Sequence, residues 1–81
     1  MKISYDHEVD AAYIYLTDTG IGSSHGFTYS CDPKQVDGQV NLDFDVEGRL
    51  LGIEVLNASK KLPKELLASV KDALVNRKNA G

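Results

Sequence analysis

The chain has 81 residues, of which 42% are hydrophobic and 26% are charged, and its formal net charge at pH 7 is −3. This composition is that of an ordinary globular protein, which excludes a disordered chain, and no apolar run approaches the roughly 18 residues of a membrane span. The single cysteine excludes an internal disulfide and a CxxC-type metal pattern, and we expect no secretory signal because the N-terminal stretch lacks an apolar run. We therefore expect one cytoplasmic domain over residues 1–81.

The first half of the chain alternates with a period of two, which predicts strands. A short strand is expected at about Lys2–Tyr5, and a second at Ala11–Thr17. In the second run the side chains of Ala12, Ile14 and Leu16 point to one face and those of Tyr13, Tyr15 and Thr17 to the other.

A weaker third strand is predicted at about Ser24–Cys31, after a turn in residues 18–22. Strict alternation would place His25, Phe27, Tyr29 and Cys31 on one side of it. Asp32-Pro33 and Asp37-Gly38 then bracket a predicted loop.

The clearest hairpin lies between Val40 and Val55. A two-residue turn at Glu47-Gly48 produces one continuous apolar face. It sets Val40, Leu42 and Phe44 opposite Val55, Ile53 and Leu51. A rival turn over residues 45–48, of type I with a bulge at Gly48, fits the turn preferences better. We expect the first turn, because the rival would move the apolar side chains of the second strand onto the acidic face.

After Asn57 the period becomes helical, and residues 62–78 are predicted to form a helix. Pro63 suits its first turn, while Arg77 and Lys78 suit its last. The predicted fold is therefore α+β. A small antiparallel sheet of four to five strands at about residues 1–56 has one C-terminal helix packed on one face.

Residues 43–54, DFDVEGRLLGIE, nearly match the calcium loop of an EF-hand. That loop needs flanking helices, whereas both flanks here are typical of strands. Same-face residues of a strand lie about 6.8 Å apart, so these carboxylates would not surround one ion. We interpret the match as accidental. A weak surface contact of a divalent ion with Asp43 and Asp45 stays open.

No other set of residues predicts catalysis. His7 and His25 lack partners at metal-ligand spacing, and Asp32 opposes thiolate formation at the neighbouring Cys31. Gly20 and Gly22 are too few for a dinucleotide fingerprint. We expect no cofactor and a role that is not enzymatic.

Tyrosine and phenylalanine side chains indicate an interface instead. A single helix covers only one face of a small sheet, yet both faces carry apolar side chains. Aromatic side chains with a polar tip are enriched at interfaces. We therefore expect self-association, as a homodimer or a higher homo-oligomer. Its candidate contact residues are Tyr13, Tyr15, Phe27 and Tyr29.

The charge is unevenly distributed. Residues 1–56 hold three basic and ten acidic groups, a net charge of −7, whereas residues 57–81 hold six basic and two acidic groups, a net charge of +4. The acidic sheet would repel phosphates from any stacking surface, and no nucleic-acid motif is present. We expect no nucleic-acid binding. The asymmetry is typical of a basic tail for phosphates, of an acidic face for a basic partner, or of attraction between two elements of one small fold, and these interpretations stay open.

Two segments resemble a small prokaryotic family known as domain of unknown function 2283. MKISYDHEVDAAYIYL is similar to that family's opening, and DFDVEGRLLGIEVLNAS to its acidic hairpin. LPKELL is similar to the start of its terminal helix. The resemblance implies a small sheet-plus-helix domain with no catalytic residues to carry over. It also implies a protein-binding role, including an antitoxin-like one.

The leading hypothesis is thus a self-associating interaction module, with Gly48 as its turn residue. The alternative is a protein that binds a small ligand or a divalent metal through surface carboxylates, centred on Asp43, Asp45 and His25.

Overall fold

The computed structural model describes residues 2–17 and 25–70. These residues form a five-stranded antiparallel sheet with short helices, an α+β architecture. The strands are β1 (Lys2–Asp6), β2 (Ala11–Tyr15), β3 (His25–Ser30), β4 (Val40–Asp45) and β5 (Leu50–Leu56), and the helices are α1 (Pro33–Val36), α2 (Ala58–Lys61) and α3 (residues 64–70).

The strand order is β1-β2-β5-β4-β3, so β1 and β3 form the two edges of the sheet among the described strands. Every neighbouring pair is antiparallel. The hairpins β1–β2 and β4–β5 are joined side by side because β2 pairs with β5. The predicted sheet of four to five strands is therefore confirmed, with five.

Cross-strand partners point to the same side of a sheet, so the register defines two faces. One row of partners runs Ile3, Ile14, Ile53, Leu42 and Tyr29, and the next runs Lys2, Tyr15, Gly52, Asp43 and Thr28. The core face comprises Ile3, Tyr5, Ala12, Ile14, Phe27, Tyr29, Val40, Leu42, Phe44, Ile53 and Val55. The polar face comprises Lys2, Ser4, Tyr13, Tyr15, His25, Thr28, Ser30, Asn41, Asp43, Gly52 and Glu54.

The buried core lies on the core face at the β1–β2–β5 side of the sheet. Its strand residues are Tyr5, Ala12 and Val55, and Leu67 and Val70 of α3 are buried in the same cluster. The helix predicted for residues 62–78 is thus present over residues 64–70, whereas residues 71–78 lie outside the described residues. No helix in the described ranges is long and apolar enough to cross a membrane.

The expectation of one helix needs correction, because two single-turn helices accompany α3 in the described chain. The predicted loop after β3 contains α1, where the Asp32 side chain accepts a hydrogen bond from the Lys34 backbone N–H and Pro33 occupies the first turn. Asp37 ends α1 in the left-handed region, with φ 49°. The second short helix, α2, directly follows β5.

The β4–β5 turn differs from the expected two-residue turn. The Gly48 N–H donates to the Asp45 carbonyl at 3.0 Å, and the Asp45 N–H donates to the Arg49 carbonyl at 2.8 Å. Gly48 has φ 85°, a value that favours glycine. The rival turn over residues 45–48 is therefore the one observed.

The expected pairing of Val40 with Val55 and of Leu42 with Ile53 is nevertheless present. A second irregularity in the β4–β5 ladder explains why the turn differs from the expected one while the pairing of the apolar residues is retained. The register shifts between Asp43 and Phe44, so that Phe44 pairs with Leu50 and Leu51 is left over as a bulge. The bulge at Leu51 cancels the one-residue shift of the turn, and the apolar side chains of β5 stay on the core face.

A bulge at Gly26 also changes the predicted face of His25. The register of β3 against β4 shifts between His25 and Phe27. A Cβ atom at Gly26 would lie 2.6 Å from the Asp45 carbonyl oxygen, so the close approach of the two backbones requires glycine. Because of the extra residue, His25 lies on the polar face and not beside Phe27.

Candidate functional site

A row of hydrogen-bonded side chains crosses the polar face from β2 to β3. The Tyr13 hydroxyl of β2 donates to Asp43 Oδ2 on β4, although β5 lies between the two strands. The tyrosine ring crosses β5 at Gly52, where a Cβ atom would lie 2.5 Å from Tyr13 Cε1. Gly52 therefore leaves the space that lets Tyr13 reach Asp43.

The row continues from Asp43 to the edge strand β3. Thr28 Oγ1 donates to Asp43 Oδ1 at 2.5 Å, and His25 Nε2 lies 3.0 Å from Thr28 Oγ1. The one hydroxyl proton of Thr28 goes to Asp43, so His25 Nε2 is the donor in the second bond. We call Tyr13, Asp43, Thr28 and His25 the tyrosine–aspartate row.

The electrostatics of the tyrosine–aspartate row keep Asp43 ionised. Partial burial opposes the charge, but the hydrogen bonds from Thr28 and Tyr13 and the proximity of His25 outweigh it, so the pKa of Asp43 is lowered. Burial, followed by the hydrogen bond to Asp43, raises the pKa of Tyr13 far above its ordinary value. A carboxylate held in this way acts as a fixed acceptor and is a poor general base.

The two metal candidates have different surroundings. Asp43 accepts the hydroxyl protons of the tyrosine–aspartate row. Asp45 Oδ1 accepts the backbone N–H groups of Glu47 at 2.9 Å and Arg49 at 2.8 Å, which stabilises the β4–β5 turn. Within residues 2–17 and 25–70, no three His, Cys, Asp or Glu side chains come together as a metal site would require.

The edge strand β3 offers a second kind of surface. All six of its residues are exposed, and β3 ends the sheet among the described strands. On the core face Phe27 is 51% exposed and Tyr29 is 55% exposed, and the Phe27 ring stacks on Phe44 with centroids 4.8 Å apart. We call this surface, which comprises Phe27, Tyr29, Leu42, Phe44 and Leu50, the aromatic patch.

The four predicted contact residues thus divide between the two faces. Tyr13 and Tyr15 lie on the polar face with ring centroids 4.7 Å apart. The Lys2 ammonium lies 5.8 Å from the centre of the Tyr15 ring, close enough for a cation–π interaction. Phe27 and Tyr29 lie on the core face within the aromatic patch. Self-association through any of the four remains a prediction.

A comparison with family models places residues 2–59 in the family described as Protein of unknown function (DUF2283). The match covers more than half of the chain. The chain belongs to the DUF2283 family. The resemblance seen in the sequence is therefore confirmed. Neither a curated protein nor a solved structure matches the chain.

Asp10, in the turn between β1 and β2, contacts residues near both ends of the range that matches the DUF2283 family. Asp10 Oδ1 accepts the Tyr5 hydroxyl at 2.6 Å and the Ser59 N–H at 2.9 Å, and Oδ2 accepts the Ser59 hydroxyl at 2.7 Å. The Asp10 carbonyl also accepts the Ala58 N–H at 2.9 Å. Asp10 thereby ties β1 and its turn to the start of α2.

Sequence reasoning missed the tyrosine–aspartate row and the Asp10 contacts of this DUF2283 chain. One signal for the row was available. Gly52 is an isolated glycine within an apolar strand, and such glycines often mark the close approach of another group. The Asp10 contacts left no comparable signal, because Tyr5 and Ser59 are more than 50 positions apart.

Proposed function

We propose that this DUF2283 protein is a non-enzymatic interaction module that self-associates through β3 and the aromatic patch. The observation that carries the proposal is the exposure of β3, an outer strand on which Phe27 and Tyr29 are each about half exposed. In this proposal α3 covers the β1–β2–β5 part of the core face, and the aromatic patch is left for a partner.

The side chains of the two edge strands favour β3 over β1 as the site of self-association. Natural edge strands are protected by charged side chains, proline or bulges. The sequence of β3, HGFTYS, contains no Asp, Glu, Lys, Arg or Pro, and its bulge at Gly26 protects only one end. The other edge, β1, carries Lys2 and Asp6, and its Tyr5 is already buried at 4% exposure.

The expected affinity is moderate. Covering the exposed half of one aromatic side chain removes about 100 Å² from water, which contributes roughly 2–3 kcal/mol. Phe27 and Tyr29 from two copies therefore give about 10 kcal/mol, against an association cost of roughly 4–15 kcal/mol. Backbone hydrogen bonds along the edge add to the favourable side. At the low end of that cost the side chains alone leave about 6 kcal/mol, which corresponds to a dissociation constant of roughly 40 µM.

Sedimentation equilibrium at protein concentrations from about 1 to 300 µM tests the proposal in the range where such a dimer forms. We expect the average mass to rise from that of a monomer towards that of a dimer. Tyr29→Lys should weaken association at least tenfold, because it places a charge in the patch. Val9→Lys is the matched control, since Val9 is a 67% exposed residue of the β1–β2 turn. A wild-type chain that stays monomeric throughout overturns the proposal.

The alternative, a ligand or divalent-metal protein using Asp43 and Asp45, is weaker because both carboxylates already accept hydrogen bonds from the chain. Titration with calcium, zinc and manganese separates the two roles. A rise in melting temperature at millimolar metal, lost in Asp43→Asn, would favour the alternative.

A further inference from the structure

We propose that the partner is a second copy of this chain, paired antiparallel along β3 about a two-fold axis at Thr28. This inference rests on the proposed self-association and adds the orientation and the register of the two β3 strands. Two five-stranded sheets would then join into one sheet of ten strands.

The hydrogen-bond pattern shows which backbone groups of β3 face outward. The Cys31 N–H donates to the Val40 carbonyl at 2.9 Å, so these two residues form a hydrogen-bonded pair with β4. Hydrogen-bonded pairs alternate along an antiparallel ladder, and Tyr29 therefore points its backbone groups towards β4 as well. The N–H and C=O groups of Thr28 and Ser30 point away from β4, towards the outer edge of the described sheet.

A two-fold axis at Thr28 uses these outward groups and the aromatic side chains together. Thr28 faces Thr28 of the partner subunit as a hydrogen-bonded pair. Phe27 then faces Tyr29 of the partner subunit as a non-hydrogen-bonded pair, in which side chains lie closest, and the symmetry repeats the contact. In this register the partner subunit covers both half-exposed rings of each copy, those of Phe27 and Tyr29.

Electrostatics support a copy of the same strand as the partner. A two-fold axis places a strand against itself, so any charge on it faces a like or nearby charge. Residues 25–30 carry no Asp, Glu, Lys or Arg, so self-pairing brings no ionised carboxylate, ammonium or guanidinium group of β3 against another. His25 lies at the bulged end on the polar face, bonded to Thr28.

The other edge strand, β1, is the alternative site at which two copies could pair. An antiparallel pair of β1 strands would set Lys2 against Asp6 of the partner subunit, which is electrostatically acceptable. However, Tyr5 is already buried and Ile3 packs against the core of its own copy. Pairing at β1 would therefore remove little further apolar surface from water.

Single cysteines distinguish the two edges. In a Cys31→Ser background, Thr28→Cys places a thiol at the centre of β3, and the matched Ser4→Cys places one at the centre of β1, also on the polar face. Directly opposite Cα atoms of a hydrogen-bonded pair lie about 5.5 Å apart, within the range of a disulfide. We expect oxidation to give a covalent dimer with Thr28→Cys and none with Ser4→Cys.

Amide hydrogen exchange of the wild-type chain provides a second readout that needs no substitution. The Thr28 and Ser30 amides should become at least tenfold more protected at high than at low protein concentration, whereas the Ser4 amide should not change. A dimer in sedimentation whose Thr28 and Ser30 amides become more protected, but whose Thr28→Cys variant gives no covalent dimer, overturns this inference and leaves the proposed function standing. Cross-linking only at Ser4→Cys, or unchanged exchange at Thr28 and Ser30, contradicts the proposed function as well. A monomer overturns both.

Discussion

At the scale of single residues, Asp10 connects the turn between β1 and β2 to the start of α2. Its side chain accepts three hydrogen bonds, from Tyr5 and from two groups of Ser59. Its backbone has φ 54°, a left-handed value that Asp and Asn tolerate better than most residues. One side chain thus fixes both the turn and the distant start of α2.

Asp10→Ala should therefore lower the free energy of unfolding by about 2–3 kcal/mol, because it removes a charged acceptor and leaves the Tyr5 hydroxyl without this partner. Asp10→Asn should cost less, since it keeps one acceptor oxygen and the tolerance for positive φ. Urea unfolding followed by circular dichroism measures both. Glu8→Ala, in the same turn, is the control, and equal stability of Asp10→Ala and the wild type would contradict the assigned role.

Asp43 makes stability depend on pH. Its pKa is lowered in the folded state, so its contribution is complete above the unfolded value near 4 and is lost as the pH falls through the folded value. Asp43→Asn should be less stable than the wild type at pH 6, and the difference should shrink as the pH falls below about 4. Urea unfolding across this range measures the difference. A constant difference would show that the charge of Asp43 does not contribute.

At the scale of elements, strands and their faces could be predicted from the sequence wherever apolar and polar residues alternate without interruption. Val40 pairs with Val55 as expected, because a buried face strongly specifies register. The irregularities were not predictable from alternation. The turn over residues 45–48 and the bulge at Leu51 each shift the register by one residue, and only their combination preserves the apolar face. His25 was misplaced for the same reason, through the bulge at Gly26.

The tyrosine–aspartate row was beyond prediction because its members lie on three strands, β2, β4 and β3, and strand order is a long-range property. Tyr13 and Asp43 become neighbours only because β2 pairs with β5 and because Gly52 lies between them. The glycine signals that something crosses the strand, but not which side chain does.

A double-mutant cycle tests the crossing at Gly52. Gly52→Ala should lower the free energy of unfolding by about 1–3 kcal/mol, since the new methyl group overlaps the Tyr13 ring. In a Tyr13→Ala background the same substitution should cost much less, because the ring is gone. Chemical denaturation of the four proteins gives the coupling energy. Additive costs would mean that Gly52 is required for a reason other than Tyr13.

At the scale of the whole molecule, one contact joins the basic and the acidic parts of the described chain. The basic Lys61 donates to the Val36 carbonyl at 2.6 Å and lies 4.0 Å from Asp37, so α2 contacts the end of α1. This contact is an example of attraction between the acidic and basic parts of one chain. Such surface pairs contribute little individually.

Self-association should make thermal stability depend on concentration, because a partner that binds only the folded chain stabilises it by mass action. The melting temperature of the wild type should rise by a few degrees between about 5 and 500 µM. Calorimetry on Tyr29→Lys should show a much smaller rise, and Val9→Lys should follow the wild type. A wild-type melting temperature that is independent of concentration would contradict association in this range.

The bulge at Gly26 has a consequence for how far assembly can proceed. The bulge interrupts the regular part of β3, so only a short stretch is free to pair with a neighbouring chain. At the other edge strand, β1, the large side chain of Tyr5 is already buried in the core of its own copy. Growth would therefore stop at two copies instead of propagating into a fibre. A dimer interface this short would also dissociate readily, so the concentration of the protein would determine the fraction of chains that are dimeric.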